Sequence, residues 1–198
     1  VTVKSKGGRF KVGEFVRLEQ NASNEFTGKC FSEVSGGVVL DQDKYLETKL
    51  KYVDPGLEGE ALLTSFRSAL GAAGWAINNS QFKDAYEINL AAQKRNDPTA
   101  EDCKHLNQAI YRMSQDPLKT FIPQLPRQSE VKVLGIVDAG MSDKGCWVGG
   151  QEGFLVGLGE NGSDLISLVN IKSGKLKRVA GGSFSAETIA GVSCLTCM

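Results

Sequence analysis

The sequence has no excess of either charge, no long apolar run and a single histidine, His105. Lys plus Arg and Asp plus Glu both number 23, so the formal net charge is zero, whereas most nucleic-acid-binding proteins carry a basic surplus. No segment approaches the ~20 apolar residues that a membrane-crossing helix needs. The start at Val1 lacks an initiating Met and an apolar signal core, so we expect the cut end of a longer product without a membrane span.

Histidine and cysteine are too few for a zinc site of the usual kind. The five cysteines lie at positions 30, 103, 146, 194 and 197. Cys194 and Cys197 have CxxC spacing, but no second pair completes four ligands. An odd, scattered set without a signal peptide indicates reduced thiols, and hence a cytoplasmic or nuclear protein. A redox role for Cys194 and Cys197 is the alternative to two ordinary thiols.

What the sequence does contain is a globular composition, with 41% hydrophobic and 23% charged residues over 198 positions. That length suits one domain or two small ones. Its first part predicts short strands followed by helices with apolar residues at helical spacing. Thr99 and Asp102 predict a capping box at the last of these helices. The predicted strands are residues 9–16, 26–31 and 38–40, and the predicted helices are 41–53, 62–77, 83–94 and 99–114.

The pattern changes after about residue 126. The proline-containing stretch 123–130 predicts a linker. Strand-like runs follow, and a helix that begins at Ser183 or Ser185 comes last. The sequence therefore predicts an α+β fold with one region at 1–126 and a second at 131–198. The predicted strands of the second region are residues 131–137, 153–158 and 165–171.

Two carboxylates in the second region are candidates for catalysis and metal binding. Asp138 ends an apolar strand, and Glu187 lies in the expected first turn of the helix. Strand-borne and helix-borne carboxylates brought together suit a divalent ion, and hard oxygen ligands suit Mg²⁺. Without a metal, Asp138 is explained as a turn residue and Glu187 by the helix dipole. The nearby Asp143 and Glu152 are expected in solvated loops.

Basic residues cluster around the end of the third predicted strand of this region: Lys172, Lys175, Lys177 and Arg178. Such a cluster can follow the phosphates of a duplex, which proteins bind by position rather than by base identity. A solvated hairpin explains the same cluster. Helix aromatics add no stacking surface, because Phe66, Trp75 and Tyr86 are expected in the core.

Several short blocks stand in an order that is typical of one protein family. In the first region they are residues 39–45 (VLDQDKY), 66–75 (FRSALGAAGW), 82–84 (FKD) and 98–107 (PTAEDCKHLN). In the second region they are residues 138–139 (DA), 151–153 (QEG), 171–173 (IKS) and 185–190 (SAETIA). With these blocks, the chain resembles the Pol polyprotein of copia-type LTR retrotransposons from about residue 26 to residue 192.

This resemblance implies a fold and an activity for each region. Residues 1–126 would be the thumb-like or connection-like end of a reverse transcriptase, and 131–198 a truncated ribonuclease H-like βββα unit. The implied activity is Mg²⁺-dependent hydrolysis of RNA in RNA–DNA hybrids, by four carboxylates around two metal ions. Asp138 and Glu187 would be two of the four, and the others are expected beyond Met198.

Departures from the family limit what this chain is expected to do. The paired polymerase aspartates are absent, since residues 52–55 (YVDP) have Pro55 in the second position and predict a turn. We expect little or no nuclease activity from this chain alone. A non-catalytic structural or interaction subunit of a larger assembly is the alternative, and an unrelated α+β binding module is a third. A half-formed sheet leaves an apolar face, so we expect association with another chain or packing against residues 60–120.

Overall fold

The computed structural model describes residues 23–124, 131–140, 150–160, 166–176, 180 and 182–198. They form a mixed α/β structure with helices and two antiparallel sheets, in agreement with the predicted α+β class. The strands are β1 (Ser23–Phe26), β2 (Lys29–Val34), β3 (Gly37–Asp41), β4 (Thr120–Pro123), β5 (Val131–Gly140), β6 (Gln151–Glu160) and β7 (Ile166–Lys175). The α-helices are α1 (Asp43–Lys49), α2 (Gly59–Ile77), α3 (Ala85–Gln93), α4 (Ala100–Gln115) and α5 (Ser183–Leu195).

The first sheet has the strand order β1-β2-β3-β4. β1 and β2 form a hairpin whose turn residues Thr27 and Gly28 have φ angles of 52° and 75°. Glycine is needed at position 28, because φ is positive and a Cβ would lie 2.7 Å from the ring of Tyr45. The prediction of a single strand over residues 26–31 is wrong, because this turn lies within that range. The strand predicted at 9–16 lies outside the described residues.

The fourth strand of this sheet comes from a stretch whose prolines predict a linker. β4 pairs with β3 from Leu40 opposite Thr120 to Gly37 opposite Pro123. β4 is an outer strand of the sheet, where a proline is tolerated. The linker prediction is therefore wrong for Pro123, and residues 125–130 lie outside the part of the chain that the structure describes.

Helices α1 to α4 enclose the main hydrophobic core. Phe66 of α2, Ile88 of α3 and Leu106 of α4 are almost completely buried in it. The helices predicted at 62–77, 83–94 and 99–114 are confirmed with small shifts at their ends, and the one predicted at 41–53 ends earlier, at Lys49. Trp75 and Tyr86 were expected in the core but are about half exposed, because they lie off the buried faces of their helices.

A buried hydrogen-bond network joins the end of β3, the connection after α2 and the segment before β4. Ser80 Oγ donates to Gln42 Oε1 over 2.7 Å, and Gln81 Nε2 donates to Ser80 Oγ over 2.9 Å. The Gln81 amide also accepts from the Leu118 N–H at 2.8 Å and donates to the Leu118 carbonyl at 3.0 Å. Because these side chains are buried, losing one leaves a partner without a hydrogen bond.

An ion pair links the short 3-10 helix Phe82–Asp84 to α4. Arg112 Nε donates a hydrogen bond to Asp84 Oδ1 over 2.7 Å, and Arg112 Nη2 lies 2.7 Å from the same oxygen. The Asp84 side chain is nearly buried, so the guanidinium supplies the partner that its charge requires.

The capping box predicted at the start of α4 is confirmed. Thr99 Oγ1 accepts from the Asp102 N–H at 3.2 Å, and Asp102 Oδ2 accepts from the Thr99 N–H at 2.8 Å. Partial burial of Asp102 raises the pKa of its carboxyl, but the hydrogen bonds from Thr99, together with the nearby Lys94 and His105, bring the pKa below its usual value.

The second sheet has the order β5-β6-β7, and α5 packs on it mainly through β5 and β6. These four elements follow one another in the chain as a βββα unit, with α5 beginning at Ser183. α3 and β4 contact β7, which agrees with the expected packing of this unit against the helical region. No helix within the described ranges is both long and apolar enough to cross a membrane.

We predict that Thr99→Ala lowers the free energy of unfolding by about 1 kcal/mol at neutral pH, because α4 loses its N-terminal cap. The pKa of Asp102 is lower in the folded chain than its unfolded value of 3.8. The stabilisation that the ionised Asp102 carboxylate provides is therefore complete above that unfolded value. It is lost as the pH falls through the folded pKa. Urea unfolding of both proteins over a pH series measures the difference, which should shrink in acid. Thr64→Ala, at an exposed site within α2, is the control. A difference that does not change with pH would contradict the assignment.

Candidate functional site

One face of the second sheet is covered by α5. The alternate residues Glu152, Phe154 and Val156 of β6 point to that face, where Phe154 and Val156 pack with Cys194. Gly135 of β5 pairs with Val156, and a Cβ on Gly135 would lie 2.9 Å from Cys194 Sγ. The odd-numbered residues of β5 therefore also point toward α5.

Glu152 is a charged residue buried between the sheet and α5, with 2% of its surface exposed. Its two carboxylate oxygens have different partners, since Oε1 accepts from Lys172 Nζ and Oε2 accepts from Ser193 Oγ at 3.0 Å. The Lys172 ammonium also lies 5.6 Å from the centre of the Phe154 ring, within cation–π range. The expectation that Glu152 lies in a solvated loop is wrong. Asp143 lies outside the described residues.

Asp138 lies on the opposite face of this sheet. It pairs with Gly153, which pairs in turn with Ser173 of β7, whereas Glu152 pairs with Ala139. Paired residues share a face and neighbours along a strand alternate, so Asp138 points away from the face that α5 covers. Its Oδ1 accepts from the N–H of Ala139 at 2.9 Å. Asp138 lies inside β5, so its explanation as a turn residue does not hold.

The Asp138 carboxylate borders a cavity between the sheet and the helical region. This cavity has a volume of about 290 Å³, and its lining includes Lys83, Tyr86, Leu155 and Ser173. The walls are mostly apolar around Asp138, apart from the hydroxyl groups of Tyr86 and Ser173 and the two lysines, Lys83 and Lys172. No residue of α5 lines it.

Glu187 lies in the second turn of α5 and is exposed. Because the helix begins at Ser183, its first turn contains no acidic residue, and the expected first-turn position of Glu187 is wrong. The helix dipole acts mainly on the terminal turn, so it accounts poorly for a carboxylate at this position.

Asp138 and Glu187 are therefore not brought together on one face. Within the described ranges, no group of three or more His, Cys, Asp or Glu side chains is placed to hold a metal ion. Mg²⁺ bound by protein needs carboxylates that converge on one point, and these two residues as arranged do not fit that requirement. The catalytic and metal-binding roles of the pair stay a prediction that rests on the resemblance.

The two described residues of the basic cluster, Lys172 and Lys175, lie in different environments. The Lys172 ammonium is paired with Glu152, so it is not free for a phosphate. Lys175 is exposed and borders a cavity of about 830 Å³ that Asp102 and His105 also line. Lys177 and Arg178 lie outside the described residues. His105 is an exposed surface residue whose Nε2 lies 3.3 Å from a carboxylate oxygen of Glu101.

Cys194 and Cys197 occupy different environments at the end of α5. Cys194 is buried against Phe154 and Val156, whereas Cys197 is exposed, and both are free thiols. Since the Cys194 thiol serves as part of the apolar cluster, the interpretation as ordinary thiols accounts for its position.

No protein-family model matches this chain, and no curated protein and no solved structure is significantly similar to it.

Sequence reasoning missed the buried carboxylate of Glu152 and its partner Ser193. The sequence did contain a usable signal. In residues 151–160 (QEGFLVGLGE), every second position from Glu152 includes Phe154 and Val156, which predicts that Glu152 shares their apolar face of the strand. No comparable signal identifies Ser193, since its contact depends on where α5 lies across the sheet.

We predict that Lys172→Ala lowers the free energy of unfolding by about 2–3 kcal/mol, because the buried Glu152 carboxylate loses its charged partner. Lys175→Ala is the matched control at an exposed site three positions along β7, where a change of about 0.5 kcal/mol or less is expected. Urea denaturation followed by circular dichroism measures both. Equal losses in the two variants would show that the Lys172–Glu152 pair does not stabilise the unit.

Proposed function

We propose that this chain is part of a copia-type Pol polyprotein, where it supplies a connection-like region and the first half of a ribonuclease H-like domain. The intact domain would hydrolyse RNA in RNA–DNA hybrids, with Mg²⁺ as the metal. By itself, the chain has little or no nuclease activity.

The order of β5, β6, β7 and α5 carries this proposal. Three antiparallel strands followed by a helix on one face are what the resemblance implies for the opening of a ribonuclease H fold. The blocks at 138–139, 151–153, 171–173 and 185–190 fall in β5, β6, β7 and α5 respectively. This agreement between the order of the blocks and the order of the elements supports the proposal.

Contacts between blocks of the first region also support it. The Tyr45 hydroxyl, in the block at 39–45, donates to the Ala72 carbonyl in the block at 66–75, at 3.2 Å. Burial of the Tyr45 ring raises the pKa of its hydroxyl, so it stays a donor at neutral pH. These two blocks therefore contact each other in the fold, as expected for segments of a single domain.

The low activity follows from the arrangement of the carboxylates. Two-metal hydrolysis requires carboxylates that converge on both ions, so that one ion activates water and the other stabilises the leaving oxygen. Asp138 points away from the sheet face on which α5 carries Glu187. In the intact domain, these two residues would need further carboxylates and a different relative placement to hold metal.

We predict that the purified chain gives no hydrolysis of a labelled RNA–DNA hybrid, with Mg²⁺ or Mn²⁺, above that of the double variant Asp138→Asn/Glu187→Gln. Gel electrophoresis of the labelled RNA strand measures the reaction. Metal-dependent cleavage that the double variant loses would contradict the proposed inactivity of the chain.

Hybrid binding tests the family assignment separately from cleavage. The triple variant Lys175→Glu/Lys177→Glu/Arg178→Glu is expected to weaken binding about tenfold at low salt and to reduce the salt dependence, because phosphate contacts are lost. Fluorescence anisotropy with a labelled hybrid measures the affinity. Lys49→Glu/Lys51→Glu/Lys94→Glu, three exposed lysines of the helical region, is the control with the same charge change. Equal weakening by both variants would remove support for hybrid binding by Lys175, Lys177 and Arg178.

A non-catalytic interaction subunit is the second candidate function, and the exposed side chains of β5 favour it. Val133, Leu134, Ile136 and Val137 are all substantially exposed on one outer strand. Exposed apolar residues grouped in this way are typical of surfaces that contact other protein chains.

A further inference from the structure

β5 has an open edge within the part of the chain that the structure describes. There it pairs only with β6, so its other side presents backbone N–H and C=O groups along a ten-residue strand. Apolar side chains on both of its faces are exposed, with Val133 at 53%, Ile136 at 57% and Val137 at 42%. A long apolar edge strand is a template for pairing with a strand of another chain.

The apolar residues of β5 match one another when two copies run antiparallel. If Gly135 lies opposite the partner's Gly135, Leu134 lies opposite the partner's Ile136. Val133 then lies opposite the partner's Val137. Directly opposed aliphatic side chains of this kind stabilise antiparallel strand pairs.

The charged residues of β5 match in the same alignment. Lys132 lies opposite the partner's Asp138, and the two-fold symmetry repeats this pair at the other end of the contact. Both residues are on the sheet face away from α5. Both are exposed, and neither forms an ion pair with another described residue. A second copy would therefore place an opposite charge beside each of these two side chains.

We propose that two copies of this chain associate through β5, antiparallel and centred on Gly135, to form a continuous six-stranded sheet. The occupant of the open edge is thus a second copy of the same chain. The contact is isologous, because the same strand is used on both sides of a two-fold axis.

The position of α5 is compatible with this contact. α5 lies over both β5 and β6, since its Cys194 lies against Gly135 of β5 while its Ser193 bonds Glu152 of β6. The two-fold axis is perpendicular to the sheet, so both copies of α5 lie on the same face. With strands spaced about 4.8 Å apart, the two helices would lie about 10 Å apart, which is a normal helix-packing distance.

A charge-reversal series tests the proposal by sedimentation equilibrium. The unaltered chain is expected to reach twice the monomer mass of 21.3 kDa as its concentration rises. Lys132→Asp and Asp138→Lys should each raise the dissociation constant at least about tenfold, since like charges then face each other twice. The double variant Lys132→Asp/Asp138→Lys should restore the dimer, because both pairs are re-formed with the charges exchanged.

Lys51→Asp is the matched control, because Lys51 is exposed and lies far from β5 in the sequence, between α1 and α2. It should leave the dissociation constant unchanged. A chain that stays monomeric at every concentration overturns the proposal. A dimer that resists both single reversals, or that the double variant fails to restore, overturns it as well. Circular dichroism of each variant separates loss of association from loss of folding.

This inference does not depend on the family assignment. Dimerisation is measured by mass, whereas the proposed family activity is measured by hybrid binding and cleavage. The double charge reversal removes the Asp138 carboxylate and is still expected to dimerise, so failure of one proposal leaves the other testable.

Discussion

The buried carboxylate of Glu152 determines how the βββα unit is arranged. A charge in this position is tolerated only when its hydrogen-bonding capacity is satisfied, and the two partners come from different elements, Lys172 of β7 and Ser193 of α5. The helix must therefore cover the sheet face to which Lys172 points. Alternation along β5 then directs Asp138 to the other face. One electrostatic requirement thus fixes both the packing of the helix and the separation of the candidate metal ligands.

The first region also buries polar groups, both neutral and charged, that have hydrogen-bonding partners from other segments. Hydrogen bonds join Gln42 Oε1, Ser80 and Gln81 inside the core, and Asp84 is paired with Arg112. Gln42 and Asp84 belong to blocks on which the proposed family resemblance is based. Their roles in this chain are architectural, because they join segments distant in sequence. A resemblance built on such residues bears on the fold more directly than on the chemistry.

Patterns among neighbouring residues predicted much of the fold. Contacts between segments distant in the sequence could not be predicted from such patterns. The capping box and the 3.6-residue spacing of apolar positions were sufficient for the helix that begins after Thr99. The β1–β2 hairpin was missed because Thr27 takes a positive φ without being a glycine. β4 was missed because its partner strand is distant in the sequence. The site was predicted least well, since whether Asp138 and Glu187 share a face depends on strand register and helix placement.

The pairing of β3 with β4 has a consequence for the order of folding. Gly37 and Pro123 are neighbours in the sheet although about 85 residues separate them, whereas β5 pairs with β6 and β6 with β7, each with the next strand in the chain. Closing a long loop costs more conformational entropy than closing a short one, and non-local strand pairing slows folding. During synthesis from the N-terminus, β3 keeps an unpaired edge until all four helices of the first region have emerged. The sheet that comes first in the sequence is therefore completed only after those helices can assemble.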